Sequence, residues 1–237
     1  TQAVFPEGGL SRTGGLGKPK LGLISYILDG FEPGRSRDVV FVPVALNYDR
    51  VMEDRTLIAA QENGTRAFRF SLRPIWRYLR RQIWLRLRGR FRHYGFAAVS
   101  FGDPLSLTEF LNRPHADAPS ELGTDLMARI AHVMPVTPVP LVAYLMATGA
   151  ATEEELSVRA EALIASPAAQ DLTLLAPTDD GEDVVAAGLR TLMERRMLTI
   201  GPDGQLQLSG EGRRIVEFYA ASVAHLLDER GEKTDEA

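Results

Sequence analysis

Apolar residues recur along this chain in two rhythms, and the change between them divides it. In the first half, the short apolar runs Val39–Leu46 and Phe96–Phe101 stand between loops rich in glycine, proline and charge. The first run, apolar throughout, predicts a strand buried on both faces, and the second predicts another strand. Leu21–Leu28 reads as an apolar helix, and residues 1–5 as the end of a strand that turns at Pro6–Gly9. Strands interleaved with helices predict an α/β fold whose ligands sit at the carboxyl ends of strands, and the loop after Phe5 lies at that edge. Pro43, inside the first run, has no N–H for a ladder and marks an edge or a bulge.

From Glu121 the spacing becomes helical. Pro135 and Pro138 separate a helix ending near Met134 from one over Val139–Thr148, and Thr152-Glu153-Glu154-Glu155 is a capping box that opens a third. A fourth, over Val184–Arg196, leads into Met197–Ile200, the turn Gly201-Pro202-Asp203-Gly204 and Gln205–Leu208, which predict a hairpin. A last helix spans Glu211–Leu227. Three helices followed by a hairpin give the winged-helix order. The expected division is therefore an α/β part over 1–118, a helical winged-helix-like domain over 119–227, and a charged tail over 228–237.

Charge sharpens this division. Residues 1–102 carry 17 Lys and Arg against 8 Asp and Glu, whereas residues 103–237 carry 10 against 23. Ten arginines and no acid fall between Arg66 and Arg92. There Leu72, Ile75, Trp76, Leu79 and Ile83 recur at helical spacing, with Arg73, Arg77, Arg80 and Arg81 largely on the other face and Trp76, Tyr78 and Trp84 as headgroup-level aromatics. Such a basic amphipathic helix suits an anionic membrane interface, where each engaged cation contributes about 1 kcal/mol. The plainer alternative is a core-facing helix with solvated arginines. DNA binding by the winged-helix-like part is disfavoured, because Val184–Arg196 offers only Arg190, Arg195 and Arg196 in an acidic surround. The absence of cysteine excludes disulfides and thiolate chemistry, and no metal site is expected. Val139–Ala151, the longest nearly apolar stretch, is too short to span a bilayer.

The candidate chemistry lies at the start, in Phe5-Pro6-Glu7-Gly8-Gly9-Leu10-Ser11-Arg12-Thr13-Gly14 and the following Lys18-Pro19-Lys20. Gly8 and Gly9 can bring backbone N–H groups near an anion, and Arg12 can add a bidentate contact. Two common phosphate motifs fail: Gly17-Lys18 lacks both the preceding glycine and a following Ser or Thr, and Gly15-Leu16-Gly17-Lys18-Pro19-Lys20 ends in Lys where a dinucleotide fingerprint needs Gly.

The ten-residue run, continued by Pro19-Lys20-Leu21-Gly22, resembles the third sequence block of the glycerolipid acyltransferases, in their glycerol-3-phosphate acyltransferase branch. The resemblance extends to Val42-Pro43-Val44, similar to the fourth block, to Val99–Leu107, and more loosely through the carboxyl-terminal third. It implies a carboxyl-terminal part of an acyltransferase-type mixed sheet with helices, and phospholipid synthesis by acyl transfer from acyl-CoA or acyl carrier protein to the sn-1 hydroxyl of glycerol 3-phosphate, with no cofactor. It implies a substrate-binding set of Glu7, Gly8, Gly9, Ser11, Arg12 and Pro43, to which Lys18 and Lys20 are added as cations clustered beside the loop. For Arg73, Trp76, Arg77, Arg80, Arg81 and Trp84 the expectation is a membrane interface on the cytoplasmic face of the cell membrane.

The family's general base is the His of a His-x4-Asp pair. Here the residues five beyond His93, His115, His132 and His225 are Ala98, Ser120, Thr137 and Arg230. No catalytic residue is therefore expected in this chain, which reads as a fragment inactive alone. Leu10 stands where many of these enzymes carry Arg, which leaves lysophosphatidate or dihydroxyacetone phosphate as alternative acceptors. A noncatalytic membrane-associated module is the reading from another class.

Overall fold

The computed structural model describes residues 2–51, 95–166, 172–174 and 183–231. The arginine-rich segment Arg66–Arg92, with every proposed membrane-interface residue, lies outside them, as does the tail beyond Gly231.

The chain is a mixed α/β structure of small sheets and, among the described residues, seven helices. α1 (Leu21–Asp29) precedes β1 (Val40–Phe41) and β2 (Val44–Tyr48). After the segment that is not described come β3 (Ala97–Phe101), β4 (Leu105–Ser106) and α2 (Leu107–Leu111). The rest is α3 (Ala118–His132), α4 (Pro138–Ala147), α5 (Glu153–Ala165), α6 (Val184–Glu194), the hairpin β5 (Leu198–Ile200) and β6 (Leu206–Leu208), and α7 (Gly210–Gly231). The last helix passes the end expected at Leu227, and the Asp228 carboxylate accepts the Tyr144 hydroxyl at 2.9 Å.

Three strand expectations are corrected. The Val39–Leu46 run is two strands broken at Pro43, and its second part is not buried on both faces: Ala45, Asn47 and Asp49 point inward while Val44, Leu46 and Tyr48 are exposed. The strands pair antiparallel, β2 on β3 with Val44 opposite Phe101 and Tyr48 opposite Ala97, and β1 on β4. Antiparallel pairs tolerate one open face, which is why alternation replaces continuous burial. Residues 2–5 are exposed and pair with no strand among the described residues.

The helices follow local chemistry. Thr152 caps α5 by accepting the Glu155 N–H at 3.2 Å, and the Glu155 carboxylate reaches back to the Ala151 N–H at 2.7 Å. α4 begins with Pro138 at a position where the missing N–H costs nothing. Its residues are apolar nearly all round, so it becomes the centre of the larger core, with Val139, Leu141, Val142 and Leu145 buried among residues of α5, α6 and α7. A smaller core joins Ile24 and Phe31 to Leu105, Leu107, Phe110, Leu122 and Leu126. α3 belongs to it through Leu122 and Leu126, so this helix braces the segment that holds the opening loop.

Candidate acceptor-binding loop

The loop is built by one tight turn and a return. Phe5-Pro6-Glu7-Gly8 is a β-turn, closed by the Gly8 N–H donating to the Phe5 carbonyl at 2.9 Å. Proline in the second place presets its φ, and Gly8 at φ +77° takes a conformation that a side chain disfavours. The chain then comes back on itself, because the Lys20 N–H donates to the Pro6 carbonyl at 2.7 Å. This contact closes a fifteen-residue loop at its neck.

Closure gathers several of the expected residues. The Glu7 carboxylate lies against Gly17, where a Cβ would come within 2.8 Å of its Oε2. The Lys20 stem crosses Gly8, with its Cγ 3.1 Å from where a Cβ would stand. Ser11 donates its hydroxyl to the Gly15 carbonyl at 2.6 Å and tightens the far limb. Arg12, Lys18 and Lys20 are exposed, and among the described residues none of them pairs with an acid. The result is a closed loop that carries three exposed cations, one of them lying across Gly8, and holds one carboxylate against Gly17.

Two expected contributions differ in detail. The Gly8 N–H is committed to Phe5, so in this geometry Gly8 shapes the turn instead of offering a donor. Pro43 is buried away from solvent, with its ring against Gly102 and its carbonyl accepting the Gly102 N–H at 2.9 Å. Gly9 is exposed and has open space where a side chain would stand. Leu10 is also exposed, at 65%.

The polar contacts of Asn47, Asp49 and Val51, which join the sheet to the helices, were not singled out from the sequence. Asn47 donates to the Pro135 carbonyl at 2.9 Å, and the Val51 N–H donates to the Tyr219 hydroxyl at 2.8 Å. Asp49, 1% exposed, accepts the N–H groups of Phe96 and Val139 at 2.9 Å each. Burial pushes its carboxyl above the usual range, against the opposing pull of those two donors. The only hint in the sequence was two polar residues, Asn47 and Asp49, set at alternate positions after an apolar run. His115 bridges the Glu121 carboxylate and the Phe110 carbonyl, and His225 Nε2 lies 3.1 Å from the Ala131 carbonyl oxygen. Both contacts tie helices or loops together.

Residues 54–229 match the model of the glycerol-3-phosphate acyltransferase C-terminal region. A glycerol-3-phosphate acyltransferase of Aeromonas hydrophila is 30% identical over 249 residues, covering 94% of this chain and 29% of that protein. One from Pseudomonas savastanoi is 29% identical over 94% of this chain and 28% of its own length, and one from Pseudomonas fluorescens Pf-5 is 37% identical over half of this chain and 13% of its own. The chain thus spans less than a third of the length of these relatives. With most of its length inside the matched region, it belongs to the glycerol-3-phosphate acyltransferase family.

Proposed function

We propose that the protein carrying this chain transfers a fatty acyl group from acyl-CoA or an acyl carrier protein to the sn-1 hydroxyl of glycerol 3-phosphate. This chain contributes the acceptor-phosphate loop, and the base comes from residues outside it. The reading rests above all on the closed loop, which carries Arg12, Lys18 and Lys20 exposed and, among the described residues, without an acidic partner, within a chain of this family. A phosphate held by Arg12 through charge-assisted hydrogen bonds would be fixed in orientation, and fixing the phosphate fixes the hydroxyl three carbons away. Glu7, partly buried against Gly17, would accept from a hydroxyl of the same substrate. No cofactor is needed for transfer from a thioester.

The chain on its own, lacking a His-x4-Asp pair, turns over no substrate. The protein acts at the cytoplasmic face of the cell membrane, with Arg66–Arg92 as its peripheral attachment; among the described residues no helix is long and apolar enough to cross a bilayer. The helical half is winged-helix-like and serves as a scaffold. The order of α4, α5, α6 and the β5–β6 hairpin supports this, as does the Leu206 N–H donating to the Ala151 carbonyl at 2.7 Å, which adds a third strand-like segment to the hairpin.

The test is Arg12→Ala in the complete protein. Loss of a charged hydrogen-bond pair costs about 1.5–3 kcal/mol, so KM for glycerol 3-phosphate should rise roughly ten- to a hundredfold while KM for the acyl donor stays put. An unchanged acceptor KM would remove the phosphate assignment.

A further inference from the structure

The loop does not stand alone on the surface. Its far limb is pressed onto the carboxyl-terminal helix: Gly14, at φ +88°, lies so close to α7 that a Cβ would run into the Phe218 carbonyl, with the carbonyl carbon 2.7 Å away. At Gly15 a Cβ would stand 3.3 Å from the Ala221 carbonyl oxygen, and Leu16 packs against the larger core. The near limb rests on α3, where a Cβ at Gly123 would lie 2.9 Å from Leu21 and 3.2 Å from Pro19.

The same turn of α7 also holds β2. Tyr219 accepts the Val51 N–H at 2.8 Å, and the Ser222 hydroxyl lies 3.4 Å from Asn47 Nδ2. Residues 218–222 therefore touch both the loop and the strand after Pro43, from one rigid helical turn. We infer that this turn of α7 is the seat that positions the acceptor loop, with Gly14 the positioning residue that permits the contact and the helical half thereby setting acceptor affinity. The inference rests on the acceptor-phosphate reading of the loop.

Positive φ and close approach are separable demands. Asn tolerates positive φ but carries a Cβ, so Gly14→Asn removes the approach while retaining the backbone conformation. In the complete protein, Gly14→Asn and Gly14→Ala should both raise KM for glycerol 3-phosphate by roughly ten- to a hundredfold, because a displacement of about 1 Å is enough to produce that loss. The acyl-donor KM should stay within a factor of about three, and kcat at saturating acceptor should fall less than KM rises. Gly149→Asn, at φ +107° with open space around it, should leave all three constants unchanged.

If the Gly14 variants fail to fold, Ala221→Leu pushes on the same contact from a helix that accepts leucine readily, and should raise the acceptor KM with the melting temperature retained. A Gly14→Asn or Ala221→Leu protein with normal acceptor KM, alongside an Arg12→Ala protein with raised KM, overturns the seat and leaves the phosphate reading intact. A fall in kcat in proportion to folded protein, with KM unmoved, also overturns it. If Arg12→Ala itself leaves the acceptor KM unchanged, the phosphate reading falls first and the inference falls with it.

Discussion

The carboxylate of Asp49 accepts the N–H of Val139, 90 residues further along the chain, at 2.9 Å. Thr137 occupies the N-cap of α4 without making a side-chain capping bond, so Asp49, just past the end of β2, caps this helix in its place. The other Asp49 oxygen accepts the Phe96 N–H, and the Asp49 N–H donates to the Phe96 carbonyl, both at 2.9 Å. One side chain thus fastens β2 to β3 and both to the first turn of the most buried helix. Gly95 makes room for it, since a Cβ there would come within 2.6 Å of Asp49 Cβ.

Asp49→Asn should therefore destabilise the fold although it removes a buried charge. An amide has one acceptor oxygen for two backbone donors, and an unsatisfied buried donor costs about 1–3 kcal/mol. The effect has a sign in pH. Burial raises the folded pKa of Asp49 above its ordinary value, so the stability this group contributes is complete below about pH 3.8 and declines as pH rises through the folded pKa. The penalty of the Asn variant, read from paired urea melts, should be larger near pH 4 than at pH 7. A variant as stable as wild type at both would remove Asp49 from this role.

Gly188→Ala sets two effects against each other. Alanine is the better helix former by about 1 kcal/mol, but a Cβ at Gly188 in α6 would stand 2.6 Å from the Pro138 carbonyl oxygen and 2.7 Å from Val142 Cγ2. Overpacking costs typically 1–3 kcal/mol, and here the obstacle includes a backbone atom that cannot swing aside. The variant should melt lower than wild type. Gly22→Ala in α1, with nothing within 4 Å, should melt at the same temperature or higher, by up to about 1 kcal/mol of stability. Both variants stabilising would mean that α4 and α6 are farther apart than described.

The helical half was legible because its signals are local. The Thr152 cap, the Pro138 start and the Gly201–Gly204 turn each act within a few residues, and each does in the structure what its chemistry predicts. In the first half the decisive contacts are distant. Nothing near Val44 says that it will face Phe101 in an antiparallel pair, and the burial of Asp49 depends on Phe96 and Val139. The loop shows both cases. Pro6 and Gly8 announce the turn, whereas the seat of Gly14 on Phe218 links residues more than 200 positions apart and leaves no trace in local spacing.

His115 presents both ring nitrogens to acceptors: Nδ1 lies 2.6 Å from the Glu121 carboxylate and Nε2 lies 2.7 Å from the Phe110 carbonyl oxygen, with the ring stacked on Phe110 at 3.9 Å. Neutral imidazole has one N–H, so the arrangement fits the doubly protonated ring. The Phe110 carbonyl and then Glu121 hold the His115 pKa above its ordinary value, opposed by partial burial and by Arg113, while His115 in turn holds Glu121 below its own. The histidine's contribution is complete below about pH 6.5 and is lost as pH rises through its raised pKa; the glutamate's is complete above about pH 4.5 and is lost as pH falls through its lowered one. Glu121→Gln retains an acceptor for the Ala116 and Asp117 N–H groups but loses the charge that favours the imidazolium. The melting-temperature gap between wild type and this variant should be widest between about pH 4.5 and 6.5 and narrow on the alkaline side as His115 deprotonates. A gap that stays constant from pH 5 to pH 9 would show that the pair is held without ionisation.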